Sequence, residues 1–312
     1  MFVGFMWLSL ALISALWLGI YDICKKHSLK NNAVVPVLLL NTAISSLLFL
    51  PFLIGSQTGY FPPGHLFYVP ATTAAEQGAI WVKSALVLSS WFFGYIGIKH
   101  LPLSLVGPIH ATRPVMVLLG ALLIFGETLN GWQWGGVIIA ITAFYLLSRS
   151  GQKEGIDFRH NRWIFSVILA CILGACSGLY DKYLMASPEA GGLGLDRMVV
   201  QTYYNFYQCA LMLLMLLILW LPKRKAQPFH WSWAIPGISL FLSMADFAYL
   251  YALSLDGAMI AIVSMIRRAS VLISFAFAAF VLHEKNLRDK AIDLALVIVS
   301  MILLCIGTLY AT

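Results

Sequence analysis

Charge is the scarcest property of this sequence. Only 11% of its 312 residues are Asp, Glu, Lys or Arg, against about 25% in an ordinary soluble domain. Such a composition excludes a conventional soluble domain. Cysteine is thin as well. Cys24, Cys171, Cys176, Cys209 and Cys305 are scattered with no CxxC pair, so they imply neither a disulfide framework nor a metal site and read as small packing residues. No HExxH, GxSxG or P-loop spacing occurs, and Gly191-Gly192-Leu193-Gly194 lacks the strand that a nucleotide fingerprint requires. The expectation is a protein that is not an enzyme and has no cofactor. Met1 to Trp7 carries no charge, whereas a cleaved signal peptide needs a basic segment ahead of its apolar core. The first apolar stretch is therefore expected to be a retained span.

What the chain has in abundance is apolar sequence, 61% of its residues. A bilayer crossing takes roughly 20 apolar residues. Ten such stretches fit, at 3–23, 34–54, 79–98, 104–125, 131–148, 164–185, 198–221, 233–254, 258–281 and 289–310. The expected fold class is an all-α integral membrane protein with ten transmembrane helices, leaving no room for a soluble domain. The 55–78 connection is the one long link. Its Tyr60, Pro62, Pro63, Phe67, Tyr68 and Pro70 suit either an interfacial anchor or a segment folded over a cavity mouth.

The stretches repeat. Gly19-Ile20-Tyr21-Asp22 closes the first and Gly178-Leu179-Tyr180-Asp181 the sixth. Asn41 and Asn205 lie in the second and seventh, Tyr95 and Tyr249 in the third and eighth, and Glu127 and Glu284 after the fourth and ninth. These pairs are separated by 159, 164, 154 and 157 residues. The halves are 1–150 and 164–312, joined by a polar linker at 151–163. With five helices per copy, the second copy enters the bilayer from the opposite face. Inverted repeats of this kind characterise secondary transporters, with a site near the midplane where the repeats meet.

The net charge of +7 is explained by topology, with no need for a nucleic-acid partner. Fourteen Lys and Arg fall on the side of loops 1–2, 3–4, 5–6, 7–8 and 9–10, against three (Lys83, Lys182, Arg197) on the other. The positive-inside bias puts the first set in the cytosol and both termini outside.

Charges at membrane depth cost about 2.5–3.5 kcal/mol each on insertion scales and need a reason. Arg113 lies near the middle of the fourth span with His110 one turn earlier, Arg267-Arg268 in the ninth, and Asp246 in the eighth. Three arginines against one aspartate leave a surplus that suits an anion, and the guanidinium fork matches carboxylate or phosphate oxygens. Arg268 and Arg113 are the first candidates for substrate contact and Arg267 the third, with Ser264 on the same polar stripe. Residues adjacent on a helix diverge by about 100°, so only one of Arg267 and Arg268 is expected to point straight into a cavity. The competing reading is structural, with Asp246 neutralising one arginine and carbonyls freed near Pro114 satisfying another. Asp22 and Asp181 read either as helix-end ion pairs, Asp22 with Lys25 or Lys26, or as a coupling relay. Glu127 and Glu284 read as turn residues that offset the dipole of the helix that follows. Asn41 and Asn205 either face the cavity or bond between helices. Gly174 and Gly178 form a GxxxG read as helix packing.

At these residues the chain resembles the drug/metabolite transporter superfamily, and specifically its EamA-like ten-helix members. The resemblance covers essentially the whole chain. It is carried by Leu105 through Gly126-Glu127-Thr128-Leu129, by Trp132-Gln133-Trp134-Gly135-Gly136, and by the second copy from Ile260 through Leu282-His283-Glu284-Lys285. It implies two inverted five-helix repeats around a cavity lined by the first, third, fourth, sixth, eighth and ninth helices, and alternating-access transport of a small metabolite. Arg267-Arg268 and Arg113 or His110 also sit where sugar-phosphate translocators of that superfamily hold phosphate, although those carry a lysine–arginine pair.

The reading is a multi-pass secondary carrier of a bacterial-type inner membrane that exports or exchanges a small organic anion. It would be driven by a coupling ion or counter-substrate, and its partners are the lipid bilayer and the small-molecule substrate. The alternatives are a general exporter of neutral or cationic metabolites and a flippase of phosphate-bearing lipid.

Overall fold

The computed structural model describes residues 3–117, 119, 129–152, 156–158, 160–185, 187–255, 260–284 and 287–310. Glu127, Asp256-Gly257 and part of the linker lie outside these. The helices are α1 (Val3–Ser28), α2 (Val34–Gln57), α3 (Ala74–His100), α4 (Leu103–Ala111), α5 (Gly131–Gln152), α6 (Arg162–Met185), α7 (Arg197–Met215), α8 (Ala234–Leu253), α9 (Ile260–Arg268), α10 (Ser270–Phe280) and α11 (Leu287–Leu309). No strand occurs among the described residues. Nine helical segments there are long and apolar enough to cross a membrane, α9 and α10 counting as one. The fourth expected span is described only as α4 followed by 113–117 and 119.

Local sequence sets the helix starts. Thr73 and Glu76 form a capping box ahead of α3, with the Glu76 amide donating to Thr73 Oγ1 at 3.3 Å and the Thr73 amide to Glu76 Oε2 at 2.6 Å. Asp196 accepts from the Met198 amide at 2.7 Å at the start of α7. Outward faces carry exposed Leu12, Leu47, Ile138, Phe165 and Ile218, the apolar surface a helix presents to lipid.

Packing joins helices from the two parts of the chain. α1 lies on α8 and α3 on α6, α2 on α7, α5 on α11, and α4 on α10. Exchanging first-half helices for their second-half counterparts maps these contacts onto one another. Side-chain bonds follow the same exchange. Ser84 of α3 donates to the Tyr204 carbonyl at 3.4 Å, and Ser239 of α8 donates to the Asn41 carbonyl at 3.1 Å. The close approaches need small residues: Cβ atoms on Gly19 would lie 2.6 Å from Ile273.

Two segments that the sequence singled out take definite partners. Glu284 reaches a helix other than the one that follows it. Its carboxylate accepts from the Leu103 and Ser104 amides of α4 at 2.8 and 3.0 Å, and from the Ser104 hydroxyl. The end of the ninth span thus meets the first turn of α4, whose first amides have no partner within their own helix. The 55–78 connection folds back on the helix ends: Phe67 stacks on Phe52 of α2 at 4.7 Å and meets Phe247 of α8 at 5.8 Å. None of its residues lines the central cavity.

Candidate functional site

A cavity of about 540 Å³ opens between the helices, lined from α1, α3, α4, α6, α8, α9 and α10, with Tyr204 added from α7. Its size is that of a small-molecule site. The helices are those the resemblance implies, plus the seventh.

Both broken spans flank this space. In the fourth, α4 ends at Ala111, Thr112 turns, and helix resumes at Arg113. Pro114 has no amide proton to continue the ladder, and the Thr112 and Val115 amides instead make short-range bonds to Ile109 and Thr112 carbonyls at 3.2 and 3.0 Å. In the ninth, α9 ends at Arg268 and the turn is at Ala269, whose amide bonds the Ile266 carbonyl at 2.9 Å. Thr112 and Ala269 are 157 residues apart, the same interval as Glu127 and Glu284. Arg113 follows its break and Arg268 precedes its own.

Among the described residues five cations and three carboxylates line the cavity, and their pairing separates them. Lys25 Nζ lies 2.7 Å from Asp22 Oδ1 and 4.2 Å from the centre of the Tyr21 ring. Lys83 pairs with Asp181 across α3 and α6 and sits 5.6 Å from the Tyr204 ring. Arg267 pairs with Asp246 and sits 4.5 Å from the Tyr249 ring. Asp246 also accepts from the Tyr204 hydroxyl at 2.6 Å. Each of these cations has its own carboxylate and its own aromatic face.

Arg113 and Arg268 have neither. Arg113 Nη2 lies 3.4 Å from His110 Nδ1. Its guanidinium rests on Gly174, which has no Cβ to displace it. Arg268 has no hydrogen-bond or ion-pair partner among the described residues. Among the described residues the pairs leave the cavity a surplus of two formal positive charges, contributed by Arg113 and Arg268.

The structure thus brings Arg113, Arg267, Arg268, His110, Ser264, Asp22, Asp181 and Asp246 to one cavity. Both Arg267 and Arg268 reach its wall, because their long side chains converge at the end of α9. Only Arg267 is tied down. Asp22 takes Lys25, while Lys26 donates to the Ile98 and Leu101 carbonyls at 2.8 and 2.6 Å. Asn41 and Asn205 lie elsewhere, in the seam between α2 and α7: Ser46 of α2 donates to the Asn205 carbonyl at 3.0 Å, and Asn205 Nδ2 to the Gln201 carbonyl at 2.9 Å.

Sequence reasoning missed Lys83, Tyr204 and Tyr21 as cavity residues. Lys83 counts as a helix-end charge if the span begins at 79. The helix begins at Ala74, which places Lys83 nine residues, or about 13 Å, along it. The capping pair Thr73/Glu76 was the signal that could have shown this.

Comparison with known proteins agrees with the architecture. Residues 5–149 match the EamA-like transporter family. No curated protein matches the chain. A solved structure described only as "Crystal structure of protein" is similar over 96% of this chain and 97% of its own, with a TM-score of 0.61 and 16% identity, a likeness of fold alone. The likeness of residues 5–149 to a transporter family, together with the nine long apolar helical segments among the described residues, marks a multi-pass membrane protein similar to the EamA-like transporters.

Proposed function

We propose that this transporter moves a small organic anion by alternating access, as a secondary carrier of a bacterial-type inner membrane working in export or exchange. One observation carries the reading. Of the five cations on the cavity wall, Arg113 and Arg268 stand at matching breaks of the fourth and ninth spans without a carboxylate partner. A bare guanidinium is expensive at membrane depth, and a carboxylate or phosphate of the substrate would offset that cost with paired hydrogen bonds. The half-exchanging contacts of α1 with α8 and α3 with α6 support two inverted repeats, 1–150 and 164–312, whose rocking would expose the site to either side. No P-loop occurs in the sequence, so the drive is an ion or counter-substrate gradient.

The test is counterflow. Protein reconstituted in sealed liposomes loaded with an unlabelled anion should accumulate the labelled anion without chemical change to it. Arg268→Gln and Arg113→Gln should abolish the uptake. Equal uptake of neutral or cationic compounds by wild type and both variants would overturn the anion reading.

A further inference from the structure

The charge balance of the cavity says more than its sign. Lys25, Lys83 and Arg267 are each matched by one aspartate, so among the described residues the unmatched charge is two, held on separate helices of the two parts of the chain. The remaining polar groups beside the arginines include donors that an anion can use. The guanidinium of Arg113 can only donate, so the His110 Nδ1 facing it at 3.4 Å accepts, and the ring proton is on Nε2. That nitrogen is buried, lies above Gly94, and has no partner among the described residues. Arg113 Nε is likewise buried without a partner. On the side of Arg268, the Tyr249 and Ser264 hydroxyls lie 3.3 Å apart and line the same space. The fourth and ninth spans are in contact here, with Val271 2.7 Å from where a Gly107 Cβ would stand, so the two arginines border one volume.

We propose that the substrate is a dianion, engaged by Arg113 with His110 at one acidic group or oxygen set and by Arg268 at the other. This rests on the anion reading above and narrows it. A monoanion would neutralise one arginine and leave the second uncompensated, whereas a dianion leaves the cavity with no net charge. A cavity of about 540 Å³ holds a short dicarboxylate or a phosphate monoester with room for water. Both present the shared chemistry of two negative charges to two guanidinium groups. Gly174 is a positioning residue in this scheme, because a methyl group there would push the Arg113 guanidinium off its seat.

The experiment compares ligands that differ by one charge, using thermal stabilisation of the full-length protein in detergent at pH 7.5. Succinate is set against monomethyl succinate and butyrate, with glycerol 3-phosphate as the phosphate arm and butyramide and choline as neutral and cationic arms. The expected result is that succinate or glycerol 3-phosphate binds at least ~10-fold more tightly than the monoanions, and whichever does so names the source. Arg113→Gln and Arg268→Gln should each bring the dianion-to-monoanion ratio to about one while butyrate still binds. The wild-type comparison needs no variant, so a misfolded variant does not blunt it. Equal affinity for succinate and its monomethyl ester would overturn the dianion proposal and leave the anion reading standing. Stabilisation by butyramide or choline alone, or by none of these ligands, would overturn both.

Discussion

Two polar regions lie at membrane depth in this protein, and they are built on opposite terms. The cavity wall carries formal charge, most of it compensated: three cations each hold a carboxylate and an aromatic ring. The α2–α7 seam carries amides and hydroxyls, and no charge except Arg197 at the start of α7. Orphaned atoms occur in both, yet they differ in kind. In the seam they are the side-chain atoms of Asn41 and Gln208 and the Thr202 hydroxyl, on fully buried residues, with Nε of Arg197 at its edge, whose other guanidinium nitrogens donate to Ser254 Oγ and the Leu66 carbonyl. In the cavity they belong to arginines and a histidine that border open volume. An unpaired neutral amide costs about 1–3 kcal/mol and a helix pair can absorb it, whereas an unpaired buried charge costs several times that. Polarity in a membrane helix is therefore a weak pointer to a binding site. Charge left over after every internal pair has been made is a strong one.

The sharpest way to break this division is to remove a carboxylate that the structure gives to a cation. Asp246→Asn strands Arg267, whose side chain is 11% exposed, and should destabilise the fold by about 3–5 kcal/mol. Replacing the pair together, Asp246→Leu with Arg267→Leu, should recover most of that loss, since the penalty lies in the orphaned charge. Intrinsic tryptophan fluorescence during thermal unfolding reads both. An unchanged melting point in Asp246→Asn would mean that Arg267 is not held structurally, and the separation of three matched cations from two unmatched ones would collapse.

Arg113→Gln and Arg268→Gln should do the reverse. Neither removes an ion pair, so melting should hold or rise, while anion affinity falls at least ~10-fold, about 1.4 kcal/mol. Gly174→Ala should weaken anion binding in the same direction as Arg113→Gln, because the methyl group occupies the seat of the guanidinium. Melting and ligand titration on the same samples separate these outcomes. A variant that loses stability and keeps its affinity would return that arginine to the scaffold.

Glu284 tests how the cavity wall is held from a distance. It supplies the first turn of α4, which leads into the break before Arg113, with acceptors for two amides and a hydroxyl. Lys290 Nζ in turn donates to Ser104 Oγ at 2.9 Å. Glu284→Gln keeps an acceptor and loses the charge at the helix N-terminus, for an expected cost of about 1 kcal/mol. Glu284→Ala loses both and should cost about 2 kcal/mol. Matching losses in the two variants would show that the charge, rather than the hydrogen bonds, supports α4.

Much of this was legible in the sequence, and the reasons differ by residue. Apolar runs and charge scarcity give the helical membrane fold, because a bilayer tolerates little else. The repeated intervals place Asp22 with Asp181 and Asn41 with Asn205 at equivalent positions, and depth singles out Arg113, Arg267, Arg268 and Asp246. Pairing was not legible. Lys83 meets Asp181 across 98 residues, and Glu284 reaches α4 across 180, partnerships that tertiary packing decides. Nor could the GxxxG at Gly174 reveal that it faces a guanidinium rather than a second backbone. For Asn41, sequence offered cavity or seam on even terms, since an amide suits both.

Asn41 gives the smallest effect and the cleanest contrast. Ser46 donates to the Asn205 carbonyl at 3.0 Å and the Cys209 thiol meets Ser46 and Thr42, so α2 and α7 run antiparallel, which puts Asn41 near the level of Gln208. Neither side-chain amide has a hydrogen-bond partner among the described residues. Asn41→Leu has nearly the same shape and removes two unsatisfied polar atoms, so its effect on stability should stay within about 1 kcal/mol and can be favourable. Anion affinity should not move, because the residue does not border the cavity. A large loss of stability would show that Asn41 makes a bond through water in the seam, which makes the amides a designed contact between α2 and α7. A loss of anion affinity with stability intact would carry the seam into the transport cycle, and polarity without charge would then have to be counted as a mark of function in this fold.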